Sequence, residues 1–172
     1  AQTRAKRSTN AKPDRQPAPV AVVGIGASAG GLKALQLFVE AVPADSGMAF
    51  VVILHLDPLH ESRMAELLQD RSEIPVTQVS GRMMVESDHI YIIPPGHDLV
   101  MDGKMIGLRK RGARSGHAPV DLFFRTLAEA AGKDATGIVL SGTGADGTEG
   151  IRHIREAGGI TVAQLPDEAE YD

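Results

Sequence analysis

Short apolar strands alternate with amphipathic helices along most of this chain, and this alternation constrains its fold more than any other feature. The segment VAVVGIGA, which begins at Val20, is a β-branched apolar run that ends in glycines, a pattern typical of a buried parallel strand. The next segment, GGLKALQLFVEAV, has apolar residues near helical spacing and is closed by Pro43. Repeated units of this kind predict a doubly wound, Rossmann-like α/β fold, with a mostly parallel sheet covered by helices on both faces.

The same alternation continues towards the end of the chain with one interruption. The predicted strands are MAFVVILHL, PVTQVS, ATGIVLSG and ITVAQ, and the predicted helices are ESRMAELLQDRS, VDLFFRTLAEAAG and DGTEGIRHIREAGG. Residues 89–110 interrupt the rhythm with turn signals in their PPG and DG sequences. We therefore expect short antiparallel strands there, appended to the main sheet.

Residues 1–19 are predicted to be a disordered basic tail or linker ahead of one domain, residues 20–172. The tail holds five basic residues and one acidic residue, a local charge of +4, and offers little to bury. Because the whole chain carries −4, the domain carries −8, which argues against a nucleic-acid partner. The chain ends at Asp172, soon after a predicted strand, so we expect the domain to be truncated at its C-terminus.

Cysteine and long apolar runs are both missing from the sequence. The absence of cysteine excludes disulfides, thiol catalysis and cysteine-ligated zinc. No apolar run approaches the roughly 20 residues that a membrane-spanning helix needs. No apolar region follows the basic residues of the N-terminus, so a secretory signal is not predicted. We expect a cytoplasmic protein without membrane insertion.

Three polar clusters follow predicted parallel strands, and ligands bind beyond the carboxyl ends of such strands. The cluster GASAG, with Ser28 at its centre, matches the G-x-S-x-G pattern that exposes a serine hydroxyl at a helix N-terminus. His55 opens the cluster HLDPLHE, and Asp146 lies in SGTGADG. A serine nucleophile needs an imidazole to take its proton, and the imidazole needs a carboxylate to hold its tautomer. Ser28, His55 and Asp146 are therefore the candidate nucleophile, base and orienting acid.

Two of these clusters also have simpler interpretations. The loop GIGASAG is close to a dinucleotide phosphate loop, although its last glycine comes one position late. Asp57 stands about where a dinucleotide-binding fold places an acidic residue, so nucleotide binding stays open on these residues alone. Asp146 could be a helix N-cap, a position that aspartate favours.

The cluster HLDPLHE could also be taken for a metal site. Its possible ligands are His55, Asp57, His60 and Glu61. Their spacing matches no standard zinc site, and Pro58 prevents a regular helix from aligning them. We therefore expect no metal.

Taken together, the three loops resemble those of the chemotaxis protein-glutamate methylesterase family. The resemblance covers about residues 20–172 and rests on VVGIGASAGGLKAL, VVILHLDPLHESRMAELL, DHIYIIPPGHDLVM and HAPVDLFFRTLAEAAGKDATGIVLSGTGADGTEGIRHIREAGGITVAQ. It implies that Ser28, His55 and Asp146 are the catalytic residues of a carboxylic ester hydrolase. Several segments that match in order and spacing decide against nucleotide binding.

The resemblance implies hydrolysis of glutamate γ-methyl esters on methylated chemoreceptors, in chemotaxis adaptation or related signalling, without a cofactor. Backbone N–H groups of Ala29 and of the turn at Thr143 and Gly144 would hold the oxyanion. Two departures from the family affect this site: Ala29 replaces a common threonine, and Thr143 replaces a frequent methionine. His117 could help to line the cleft.

The resemblance also bears on partners and leaves alternatives open. Family members usually carry a receiver domain before the esterase domain, and others are fused to a receptor methyltransferase domain. A fused or separate methyltransferase or regulatory domain is thus an expected partner. Glutamine deamidation could accompany ester hydrolysis. The alternative is a nucleotide-binding or catalytically silent regulatory interaction domain.

Overall fold

Two sheets organise the part of the chain that the computed structural model describes. That part comprises residues 20–55, 63–111, 117–140 and 145–165, without the side chains of Ala29 and His55. The larger sheet has six strands that pair in parallel throughout, and the smaller one has three antiparallel strands.

The strands and helices follow the predicted alternation. The larger sheet contains β1 (Ala21–Ser28), β2 (Met48–His55), β3 (Val76–Gln78), β5 (His89–Ile92), β8 (Ala135–Val139) and β9 (Ile160–Ala163). The smaller sheet contains β4 (Met83–Met84), β6 (His97–Asp102) and β7 (Met105–Lys110). The described helices are α1 (Leu32–Ala41), α2 (Met64–Gln69), α3 (Pro119–Ala131) and α4 (Thr148–Glu156), with 3-10 turns at Ala29–Gly31 and Gly132–Asp134. Among these residues, no helix has the length and apolar character needed to cross a bilayer.

The order of the larger sheet is β3-β5-β2-β1-β8-β9. From β1 the chain builds the β2 side of the sheet first, and it then returns to the other side of β1 as β8. The strand order therefore reverses between β1 and β8, and a crevice forms at the carboxyl ends of strands at such a reversal. The prediction of a doubly wound, mostly parallel fold is confirmed.

One predicted element has a different place. Strand β5 was expected among the appended antiparallel strands, but it lies inside the larger sheet and pairs in parallel with β2 and β3. Its residues Ile90, Tyr91 and Ile92 are almost completely buried. A strand that is covered on both faces needs a continuous apolar run, and this one has it. The buried Tyr91 hydroxyl accepts a hydrogen bond from the Glu86 N–H at 2.9 Å. The antiparallel extension is limited to β4, β6 and β7, which form a sheet of their own.

Helix α3 packs directly on β1 because two glycines of that strand leave room for it. A Cβ atom at Gly24 would lie 2.8 Å from Phe124 Cε1, and one at Gly26 would overlap Val120 Cγ1. Val120, Phe123 and Phe124 are buried at this contact. The glycines of the GIG sequence thus set the distance between the helix and the central strand.

We predict that Gly26→Ala lowers the free energy of unfolding by about 1–3 kcal/mol, the usual cost of overpacking a core. The added methyl group has no space beside Val120. Chemical denaturation of the purified variant measures the change. Gly81→Ala is the matched control, because nothing lies within 4 Å of the methyl group that it adds. The double variant Gly26→Ala/Val120→Ala should lose less free energy of unfolding than the sum of the two single variants, because the smaller side chain leaves room for the added methyl group. Losses that simply add would contradict this account.

Candidate active site

The candidate nucleophile and base lie side by side at the edge of the sheet. Ser28 is the last residue of β1, His55 is the last residue of β2, and the two are partners in the parallel register. Neighbouring strands run about 4.8 Å apart, so the backbones of these two residues lie next to each other. Ser28 is half-buried, whereas the side chain of His55 lies outside the described atoms.

The backbone at Ser28 is extended, with φ −116° and ψ −169°. The strained elbow that many G-x-S-x-G sequences form is therefore absent, and the end of the strand itself presents the serine. Ala29 opens the 3-10 turn that leads into α1. The first N–H groups of a helical segment have no partner within it, so the backbone after Ser28 can supply donors to an oxyanion.

Strand β8, which precedes the third cluster in the chain, pairs with β1 on the side opposite to β2. The Leu140 N–H donates to the carbonyl oxygen of Gly26 at 2.9 Å, which keeps β8 against β1 to its end. Residues 141–144 follow, and they include the oxyanion candidates Thr143 and Gly144, which lie outside the described residues. The chain is described again from residue 145, just before Asp146 and the start of α4.

Both carboxylate oxygens of Asp146 are bound by the first turn of α3. The Asp121 N–H donates to Oδ1 at 2.9 Å, and the Val120 N–H donates to Oδ2 at 3.1 Å. The N-cap of α4 is Gly147, so Asp146 does not cap its own helix but the N-terminus of another one. These two bonds use about half of the acceptor sites of a carboxylate, which leaves it the capacity to accept from an imidazole as well.

Asp121 completes this arrangement and was missed in the sequence. Its Oδ1 accepts hydrogen bonds from the Gly147 N–H at 2.9 Å and from the Gly150 N–H at 2.7 Å. Acidic residues are common in the first turn of a helix, where they usually stabilise that same helix. Nothing in the pattern VDLFF indicates that the carboxylate binds α4.

His117 lies just before α3, next to a buried carboxylate. Its Nε2 is 3.2 Å from Asp98 Oδ1, although the two atoms are not aligned as a hydrogen bond. The other oxygen of Asp98 accepts from Arg109 Nη2 at 3.4 Å. Asp98 is only 2% exposed, so this acid belongs to the interior of the protein. The role of His117 in lining the cleft stays a prediction.

The alternative interpretations of these clusters can be compared with the geometry. Gly24 and Gly26 lie inside β1 and face the side chains of α3, so the first two glycines of GIGASAG serve packing. Among the described residues, no three histidine or acidic side chains are grouped to hold a metal. Three residues of the metal alternative, Asp57, His60 and Glu61, lie outside that part of the chain.

A doubly wound sheet with a serine and a histidine at the ends of paired strands, and an anchored carboxylate after the strand on the other side of the serine strand, is an arrangement suited to a serine hydrolase. The family comparison agrees with this class. The family model described as CheB methylesterase matches residues 23–172, and the chain belongs to this family.

Curated relatives extend well beyond this chain. Protein-glutamate methylesterase/protein-glutamine glutaminase 4 of Anaeromyxobacter dehalogenans is 35% identical over 176 residues, which cover 91% of this chain and 47% of the relative. Its counterpart numbered 3 in Geobacter metallireducens is 35% identical over 160 residues, which cover 86% of this chain and 42% of the relative. The chain thus spans less than half of the length of either protein.

A solved structure supports the same family. The crystal structure of the Thermotoga maritima CheB methylesterase catalytic domain matches with a TM-score of 0.82 at 26% identity. The match covers 88% of this chain and 83% of that domain.

We predict that Asp146→Ala lowers the free energy of unfolding by about 1–3 kcal/mol, because two partly buried N–H groups of α3 lose their acceptor. Thermal unfolding followed by circular dichroism measures the loss. Asp45→Ala, at an exposed turn, is the control and should change stability by less than about 0.5 kcal/mol. Equal stability of the two variants would show that the bonds from α3 contribute nothing.

Proposed function

We propose that this domain is a protein-glutamate methylesterase that hydrolyses glutamate γ-methyl esters on chemoreceptors to glutamate and methanol. One observation carries the proposal above the others: Ser28 ends the central strand, with His55 in register on one side and β8, the strand that precedes Asp146 in the chain, on the other. The names of the curated relatives support the choice of ester.

In the first half of the proposed reaction, His55 removes the proton from the Ser28 hydroxyl as its oxygen attacks the γ-ester carbonyl. The developing oxyanion is held by backbone N–H groups of Ala29 and of the turn at Thr143 and Gly144. The tetrahedral intermediate then collapses. The methoxy group takes the proton from His55 and leaves as methanol, and an acyl-enzyme on Ser28 remains.

In the second half, water attacks the acyl group while His55 takes its proton, and Ser28 is released with its hydroxyl restored. Asp146 holds the imidazole tautomer and stabilises the imidazolium in both halves. The bonds from α3 keep the Asp146 carboxylate in one orientation, which is what this role needs. No cofactor takes part in either step.

The same route can hydrolyse the side-chain amide of glutamine, with ammonia as the leaving group in place of methanol. The relatives carry both activities in their names, and we propose that this domain shares both. His117 would line the cleft at the start of α3.

The proposed setting is the cytoplasm, with a methylated chemoreceptor or a related signalling protein as substrate. A methyltransferase or regulatory domain, fused or separate, is the proposed second partner. Such a partner would control the activity of the proposed hydrolytic site.

We predict that the purified chain releases methanol from methyl-labelled chemoreceptor membranes and that Ser28→Ala and His55→Ala each lower the rate by about 10⁴-fold or more. Each change removes a group that moves a proton or forms the acyl bond. Ser80→Ala, at an exposed position outside the site, and His153→Ala, on the surface of α4, are the matched controls and should retain the rate.

Equal release by the wild type and Ser28→Ala would contradict the proposed mechanism. A wild type without any release, in a preparation that is folded, would favour the silent regulatory domain. Ammonia release from receptors that carry glutamine at the same sites measures the second activity, and it should depend on Ser28 in the same way.

A further inference from the structure

The carboxylate of Asp121, in α3, binds the N-terminus of α4, and the carboxylate of Asp146, just before α4, binds the N-terminus of α3. The Asp146 carboxylate receives the N–H groups of Val120 and Asp121 in the first turn of α3. The Asp121 carboxylate receives the N–H groups of Gly147 and Gly150 at the start of α4. Four hydrogen bonds of 2.7 to 3.1 Å thus join the two helices at the ends that carry partial positive charge, where carboxylates are favoured.

The bond from Gly147 matters because Gly147 shares a peptide unit with Asp146. Gly147 has a φ of +103°, a left-handed conformation that lets the chain turn sharply between Asp146 and α4. Asp121 holds the N–H of that peptide unit and so fixes the backbone from which the Asp146 side chain extends.

The bond from the Gly150 N–H to Asp121 also fixes the first turn of α4 against α3. A Cβ atom at Gly150 would lie 3.0 Å from the Asp121 Cα, so the two helices are in close contact at this position. Gly150 is buried there, and its N–H reaches Asp121 Oδ1 at 2.7 Å. The backbone of Asp146 is thus held by Asp121, while its carboxylate is held by the backbone of α3.

We propose that Asp121 is a positioning residue for the reaction, which holds Asp146 in the orientation that His55 requires. The inference rests on the proposed Ser-His-Asp function and adds to it a residue that touches neither substrate nor the reacting atoms. A shift of the orienting acid by about 1 Å from a change outside the chemistry can lower a rate by about 10²-fold.

The test compares variants of Asp121 in methanol release from methyl-labelled chemoreceptor membranes. Asp121→Ala removes both bonds, and its kcat should fall by about 10- to 100-fold with KM within about threefold of the wild type. The acid limb of its kcat/KM profile, which reports protonation of the free enzyme's base, should move to lower pH because the carboxylate near the imidazole is less well placed. Asp121→Asn keeps an acceptor oxygen at Oδ1 and should restore kcat to within about threefold of the wild type.

Asp121→Glu guards against failure of the alanine variant to fold. It keeps the charge but moves the oxygens by one methylene group, so kcat should fall in a chain that remains folded. Ile106→Val is the control for stability alone, because it removes a methyl group from a buried site in the antiparallel sheet. It should lower the unfolding temperature without changing kcat or the pH profile.

Two results would overturn the proposal while the esterase function stands. The first is methanol release by the wild type that depends on Ser28, while Asp121→Ala and Asp121→Glu keep the wild-type kcat and pH profile, as Ile106→Val does. The second is a kcat for Asp121→Asn as low as that of Asp121→Ala, which would exclude the hydrogen bonds as the cause. A folded wild type that releases no methanol would instead overturn the function on which the proposal rests.

Discussion

The contact between helix α3 and strand β1 is the constraint on which the rest of the structure depends. Gly24 and Gly26 present no side chains, so the helix lies directly on the central strand, with Val120 and Phe124 filling the space. Strand β1 ends in Ser28, and the first turn of α3 holds the Asp146 carboxylate. One close approach therefore links the strand that ends in Ser28 to the helix that binds Asp146, although the two residues lie far apart along the chain.

Different kinds of secondary structure place the residues of the candidate site. The sheet places Ser28 and His55, because parallel register brings the ends of β1 and β2 together. The helices place Asp146, through hydrogen bonds to backbone groups at their N-termini. Side-chain interactions with backbone are less sensitive to surface substitutions than those with other side chains, so the acid can stay anchored while the surrounding sequence changes.

Much of the fold and part of the site could be predicted from the sequence. Periodicity and strand-ending glycines predicted the doubly wound sheet, and the loop sequences predicted the family; both are confirmed. Strand β5 was misplaced because turn signals on its far side suggested a hairpin, whereas its apolar run HIYI belongs in the middle of a sheet. The catalytic roles of Ser28, His55 and Asp146 stay predictions, as do those of Ala29, Thr143, Gly144 and His117.

Asp121 and Asp98 escaped the sequence analysis for a physical reason. Each bonds to residues that are distant in the chain, and local patterns carry no information about such partners. In VDLFF the acid reads as an ordinary first-turn residue, and in HDLVMD a buried acid is indistinguishable from an exposed one. Only the three-dimensional structure shows that Asp121 reaches Gly147 and Gly150 and that Asp98 is enclosed beside His117.

The in-register pairing of Ser28 with His55 also limits the changes in length that the chain can accept. Strand side chains alternate between faces, so a residue inserted within β1 or β2 would shift the two against each other and turn one of them away. A residue added at the turn of Gly103, between β6 and β7, reaches neither strand. Among homologous chains, gaps should therefore collect at this hairpin and be absent from the two strands wherever the chemistry is retained. The position of gaps then becomes a marker of activity that is independent of the identity of any residue.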